Sequence, residues 1–210
     1  MIHTAAIAGL LIGLIRSGKL RNLASHNLKL ISFLFLSFLF EAVVVFGFIE
    51  RITSDPSMVL VLRTGASVFQ YVLVIIFLIV NAISKIKLTA RVGLWLTASG
   101  SAANALVIVA NKGQMPISLM LTDRIEALHE VPLARIAAAR HYTLANSETV
   151  LLKLGDWLPV WSFGWYMVSP GDFLISAGLA MFTYWLTQNP DKQKLNNLEQ
   201  PENIVYTNGR

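Results

Sequence analysis

Apolar residues gather along the chain into five runs separated by short polar stretches, at residues 2–15, 28–49, 58–83, 92–110 and, behind a polar entry, 171–187. A helix that crosses a hydrocarbon core about 30 Å thick needs roughly 20 residues, about 17 at the low end. The second, third and fourth runs meet that length. The first and last reach it only with their polar end residues included. The pattern therefore predicts an all-α fold, a polytopic transmembrane helical bundle of about five spans. In the first run the charges Arg16, Lys19 and Arg21 follow the apolar stretch rather than precede it, and no A-x-A-like cleavage site comes after. That order predicts a retained helix rather than a secretory signal. Ala5, Gly9 and Gly13 recur every four residues in it, a spacing that lets a second helix approach the backbone closely.

Residues 111–170 predict a helical extracytoplasmic segment. Thr122 is expected to cap a short helix ending near His129, and Ser147 another running to Lys153 with Gly155 as its stop. Asp156 is expected to cap a third helix over residues 157–168, where Trp157, Trp161 and Trp165 at four-residue spacing would share one face. Tryptophan favours the membrane–water interface, and such a helix would be only about 18 Å long. The expectation is an interfacial Trp helix on the outer leaflet, with a re-entrant half-helix as the alternative. Ser169-Pro170-Gly171-Asp172 has the form of a capping box with proline at the first helical position, and it should open the last span. The domain reading is one membrane domain over residues 1–188 and a polar cytoplasmic tail over residues 189–210.

Composition reinforces the membrane reading. Hydrophobic residues make up 55% of the chain and charged residues 14%, against about 25% charged in an ordinary soluble domain. The absence of cysteine excludes disulfides, thiolate metal sites and thiol redox chemistry. A net charge of +5 would suggest nucleic acid in a soluble protein. Here the cations sit beside apolar runs, so the bilayer is the expected partner and no nucleic acid is. Arg16, Lys19, Arg21 and Lys29 follow the first run without an acid, and Lys85, Lys87 and Arg91 join the third to the fourth, again without one. The positive-inside rule then puts these loops and the tail in the cytoplasm and the amino terminus and residues 111–170 outside. The expected location is a cell membrane, crossed several times.

Ionisable residues inside a span are costly and mark either function or a paired structural role. Glu41 and Arg63 stand inside predicted spans, joined by the strongly polar Asn104. At 1.5 Å per residue Glu41 would lie roughly 12 Å from the outer end of its helix and the other two roughly 8 to 9 Å from theirs. Helical spacing puts Arg63, Ser67 and Gln70 on one face, Thr97, Asn104 and Asn111 on another, and Ser37 and Glu41 on a third. One reading is a structural Glu41–Arg63 ion pair; the other is a polar cavity open to the outside. The candidate ligand-binding set is Glu41, Arg63, Gln70, Asn104, Asn111, His141, Asp156 and Asp172. No H-E-x-x-H, G-x-S-x-G or phosphate-loop spacing occurs, so neither a metal nor a cofactor is expected.

Three segments together resemble a family of small bacterial integral membrane proteins of unknown function. They are Asn111-Lys112-Gly113-Gln114-Met115-Pro116, then His141-Tyr142 through Leu154-Gly155-Asp156, and Ser169-Pro170-Gly171-Asp172. The family pattern is an N-x-G-x-M-P-like stretch, a later L-G-D and an S-x-G-D entry to the final span. Gln114 stands where the first motif usually has its second glycine. The resemblance implies a bacterial membrane protein whose characteristic residues face outward, and it carries no activity. Two functions from different classes fit. The first is a non-enzymatic binder, transporter component or accessory subunit of a membrane protein partner, holding an anionic small molecule or lipid headgroup with Arg63. The second is a membrane-embedded enzyme acting on a lipid-linked substrate at the outer face, with Glu41, His141, Asp156 or Asp172 as general acid or base.

Overall fold

The structure is a computed structural model, and it describes residues 1–118, 142–161 and 164–189. The fold is mostly helical: α1 (Ile2–Ile15), α2 (Ile31–Val45), α3 (Phe48–Ile52), α4 (Pro56–Ala82), α5 (Leu88–Ala110) and α6 (Pro170–Leu186). Four short strands lie between α5 and α6: β1 (Met115–Ile117), β2 (Tyr142–Leu144), β3 (Leu158–Trp161) and β4 (Trp165–Val168). Among the described residues, α4 and α5 are long and apolar enough to cross a membrane, and α1 and α2 are shorter apolar helices.

The second apolar run does not form the single long helix its composition predicts. Leu30 and Gly47 both adopt left-handed backbone conformations (φ 54° and 66°). Between them α2 has 15 residues, and α3 adds 5 after the bend. Glycine meets no steric cost at such a φ, so Gly47 ends the helix where hydropathy alone would continue it. The last helix opens as expected. The Ser169 side chain accepts from the Asp172 backbone, Asp172 returns the bond to the Ser169 backbone, and Pro170 occupies the first turn. Asp55 and Pro56 start α4 in a similar way.

Small residues set how the helices meet. A Cβ added to Gly93 would lie 2.7 Å from the Gly178 carbonyl oxygen, and Gly100 lies equally close against Gly171. These pairings make α5 and α6 antiparallel with their backbones almost touching, the small-residue contact that membrane helices use. Gly9 packs on Ala180 and Thr183, and Gly13 on Thr187. That matches the spacing read in the first run and makes α1 parallel to α6. Phe77, Leu78, Leu94, Ala98, Phe182 and Trp185 fill the core between α4, α5 and α6.

One consequence is that both basic loops share one end of the bundle. His26 packs against Trp185 with ring centroids 4.1 Å apart, and the Asn81 amide exchanges hydrogen bonds with the Lys29 backbone at 2.9 Å. The strands cap the other end. β1 pairs in parallel with β2, and β3 with β4 antiparallel.

The described residues between Asp156 and Val168 form two strands rather than a helix. Trp161 and Trp165 face each other across the end of the β3–β4 hairpin, so their four-residue spacing is a cross-strand pair rather than a helix face. Val160, Tyr166 and Val168 favour strands, and Gly164 takes φ 146°, which favours glycine. The expected helix from Ser147 to Lys153 is likewise replaced. Thr149 and Asn146 close a turn at 3.1 Å, and a 3-10 turn follows at Leu152–Leu154. The helix expected after Thr122 lies outside the described residues.

Glycines should respond oppositely to alanine according to their neighbours. Gly178→Ala drives a methyl into the Gly93 carbonyl and should destabilise by about 1–3 kcal/mol. Gly65 has open space where its Cβ would be, so Gly65→Ala should stabilise α4 by about 0.5–1 kcal/mol. Thermal unfolding of the detergent-purified variants measures both. Similar shifts in the two would contradict a close α5–α6 contact.

Candidate functional site

At the strand-capped end a cavity of about 250 Å³ opens between α2, α4, α5, α6 and the strands. Glu41, Gln70, Asn104, Asp156 and Asp172 all line it. Five of the eight residues singled out by sequence therefore meet in one space, although they come from four helices and a loop.

Each is positioned by a separate device. Asn104 donates to Asp172 Oδ1 at 2.8 Å and accepts from Ser169 Oγ at 2.8 Å, so the α5 amide locks onto the capping box of α6. Gly171 packs directly on the Asn104 side chain. The remaining Asp172 oxygen accepts from the Ser169 backbone at 3.2 Å. Gln70 donates to Glu41 at 3.3 Å, with Glu41 itself exposed at the cavity mouth. Asp156 is held by its backbone. Its N–H donates to Pro116 at 3.0 Å and its carbonyl accepts from Ser118 at 2.8 Å, which sews it to β1. A Cβ on Gly155 would lie 2.9 Å from the Pro116 oxygen, so the glycine before Asp156 is what lets β1 come this close.

Asp156 is the unusual member. It is 4% exposed, and its Oδ1 has no hydrogen-bond partner among the described residues. Burial, and then the neighbouring Asp172 carboxyl, push its pKa up to about 8 from 3.8. Desolvation disfavours the charged form of an acid, and a second carboxyl adds to that. Tyr142 also lines the cavity and is pushed up to about 12 by burial and by Asp156, Asp172 and Glu41. Among the described residues the lining contains three acids and no Lys, Arg or His. No group of three His, Cys, Asp or Glu among them is disposed to hold a metal ion.

The other expected members are elsewhere. Arg63 does not pair with Glu41; its Nη2 donates to Glu50 at 2.7 Å. The antiparallel register of α2 and α4 places residue 41 beside residue 70, and Arg63 is two turns, about 10 Å, further along. The bend at Gly47 brings α3, and with it Glu50, to the arginine instead. Asn111 is a structural clamp: its amide donates to Val107 and Val150 at 2.8 Å and accepts from the Val150 backbone at 3.0 Å. His141 lies outside the described residues. Tyr71 and Met115 line the cavity but were not singled out from sequence. Tyr71 had a readable signal, since with Ser67 and Gln70 it completes an i, i+3, i+4 face; Met115 had none beyond its motif.

Residues 25–184 match the model of a family of unknown function, DUF5317, and the chain belongs to that family. Asn111–Pro116, the Leu154-Gly155-Asp156 stretch and the Ser169–Asp172 cap all lie within the matched residues. No curated protein and no solved structure matches the chain.

The buried carboxyl makes a signed prediction. With its folded pKa above the unfolded one, Asp156 binds more proton in the native state between about pH 4 and pH 8. Its stabilising contribution is complete below that window and is lost as pH rises through it. Asp156→Asn should therefore melt close to the parent protein at about pH 4 and increasingly above it as pH rises, by several degrees at pH 9. Glu41, Tyr71, Tyr142 and Asp172 face the same cavity in both proteins, so the difference between the two melting curves isolates Asp156. A difference independent of pH would refute the assignment.

Proposed function

We propose that this DUF5317 member is a multi-pass membrane protein that holds a small organic cation in the acid-lined cavity, as a binder, transporter component or accessory subunit rather than an enzyme. The observation that carries the ligand class is the unpartnered Asp156 Oδ1 in a cavity with two further acids and no cation among the described residues. A buried carboxyl oxygen without a donor costs free energy, and a protonated amine supplies both the donor and the charge. Tyr71 and Tyr142 add aromatic rings, which cations favour. The anion anticipated from sequence loses its support, because Arg63 is engaged by Glu50. A cation entering the cavity favours ionised Asp156, so binding is linked to proton release.

The membrane placement rests on surface chemistry. Phe35, Phe38, Leu39 and Val61 are 58–69% exposed on the outside of the bundle, a density of apolar surface that soluble monomers rarely show. On this reading α4 and α5 span as they stand, at about 40 and 35 Å. The shorter α1, α2 with α3, and α6 complete their crossings with flanking residues. Lys and Arg in the loops of the basic end support a cytoplasmic side for it under the positive-inside rule, and on this reading the cavity faces outward. A membrane-embedded enzyme remains the second reading, because a protonated Asp156 beside a second carboxyl also suits a general acid.

Topology has a direct check, since the chain contains no cysteine. A cysteine at Ser84 should be protected from an impermeant thiol reagent in intact cells, and one at Ser147 should be labelled. The reverse pattern would invert the orientation. For the ligand class, ethanolamine and methylamine hydrochlorides should raise the melting temperature of the detergent-purified protein at matched ionic strength, by more at pH 8 than at pH 6. Asp156→Asn should abolish the pH dependence. Stabilisation by acetate instead of the two amines would refute the cation reading.

A further inference from the structure

The opposite end of the bundle holds a second cavity, of about 260 Å³, lined by Arg16, Ser17, Lys19, Arg21, Asn22 and Gln188. Its walls are fixed by the way the chain leaves α1. Ser17 takes φ 67°, and the Gly18 and Ser17 amides bond back to Gly13 and Leu14 at 2.9 and 3.2 Å. This closing turn normally places glycine at the left-handed position. A serine held there is a strained choice, and it sets a hydroxyl in the cavity wall. The next residues dock on the end of α6. The Lys19 amide donates to the Thr187 carbonyl at 2.9 Å and the Asn22 side chain to the same oxygen at 2.6 Å. Asn22 is 8% exposed and is anchored on the fully buried Thr187, so it forms a polar floor, and Arg16, Lys19 and Arg21 stand exposed around the rim.

Charge selects the ligand. Three cations line the cavity, and among the described residues no Asp or Glu does. The carboxyl ends of α1 and α6 meet here, and each contributes only about half a negative charge. The balance stays strongly positive. Two guanidiniums, an ammonium and the Ser17 hydroxyl supply donors, and guanidinium matches phosphate geometry with paired hydrogen bonds. The volume equals several waters at about 30 Å³ each, which suits a partly hydrated phosphate group.

We infer that this pocket binds a phosphate group, supplied by an anionic lipid headgroup or by a small soluble phosphate. It is separate from the acid-lined cavity in both place and charge, so neither assignment depends on the other.

Native mass spectrometry of the full chain in a neutral detergent tests this with three probes: dioleoylphosphatidylglycerol, the zwitterionic dioleoylphosphatidylcholine, and inorganic phosphate. Phosphatidylglycerol should bind with an affinity roughly tenfold above phosphatidylcholine, and Arg16→Gln or Arg21→Gln should each remove most of that preference, as loss of a charge-assisted hydrogen bond implies. Lys85→Gln with Lys87→Gln, in the other basic loop of the same end, should leave it intact. Competition by millimolar inorganic phosphate, with the same dependence on Arg16 and Arg21, identifies a soluble phosphate as the ligand; absence of competition identifies the lipid. Melting temperatures confirm that the exposed-arginine variants fold. Equal losses in the pocket and Lys85/Lys87 variants would reduce the effect to general surface charge and overturn the inference, as would failure of both phosphatidylglycerol and inorganic phosphate to bind more tightly than phosphatidylcholine.

Discussion

The close contact of α5 with α6 governs the rest of the molecule. Where Gly93 meets Gly178 and Gly100 meets Gly171 the two backbones leave no room for a methyl group. A contact that tight fixes the register of the pair to within a residue. In that register Asn104 arrives at the first turn of α6, where Ser169 and Asp172 occupy both sides of its amide. A capping box would have formed in isolation. The seam turns it into a joint between helices, and it commits one oxygen of Asp172 to α5 and the other to its own helix end.

That joint forms one wall of the acidic cavity, and β1 supplies the opposite one. Asp156 reaches it because Gly155 lets Pro116 approach and because both backbone groups of Asp156 are spent on β1. Its Oδ1 is left buried without a donor among the described residues. Such a group is expensive, and protonation lowers the cost. The bundle is thus polarised in charge: a carboxyl-rich cavity at one end, a ring of guanidinium and ammonium groups at the other, and an apolar middle between them. A membrane imposes a similar division on any chain that crosses it several times.

Much of this was legible in the sequence because it depends on local chemistry. The apolar runs gave the main helices. Ser169-Pro170-Gly171-Asp172 gave the capped start of α6, and the glycine spacing of the first run gave a face for close packing, now seen against α6. Glu41, Gln70, Asn104, Asp156 and Asp172 could be nominated by polarity and helical spacing, and they do converge. The failures share a cause. Four-residue Trp spacing fits a helix face and a cross-strand pair equally well, and only the pairing of β3 with β4 separates them. An apolar run of 22 residues does not announce that its glycine will turn left-handed.

Partnership was decided by tertiary register alone. Sequence depth suggested Glu41 as the partner of Arg63, but depth along a helix says nothing about which residue of a neighbour lies opposite. The bend at Gly47 and the antiparallel fit of α2 on α4 gave Arg63 to Glu50 and left Glu41 with Gln70. Asn111 read as a site residue and became a clamp for Val150 for the same reason. Composition and periodicity determine which segments are helices and which of their faces are polar, because these follow from each residue and its near neighbours. The pairing of charges, and so the charge left on the cavity lining, follows from contacts between residues far apart in the chain, and those exist only once the helices have packed.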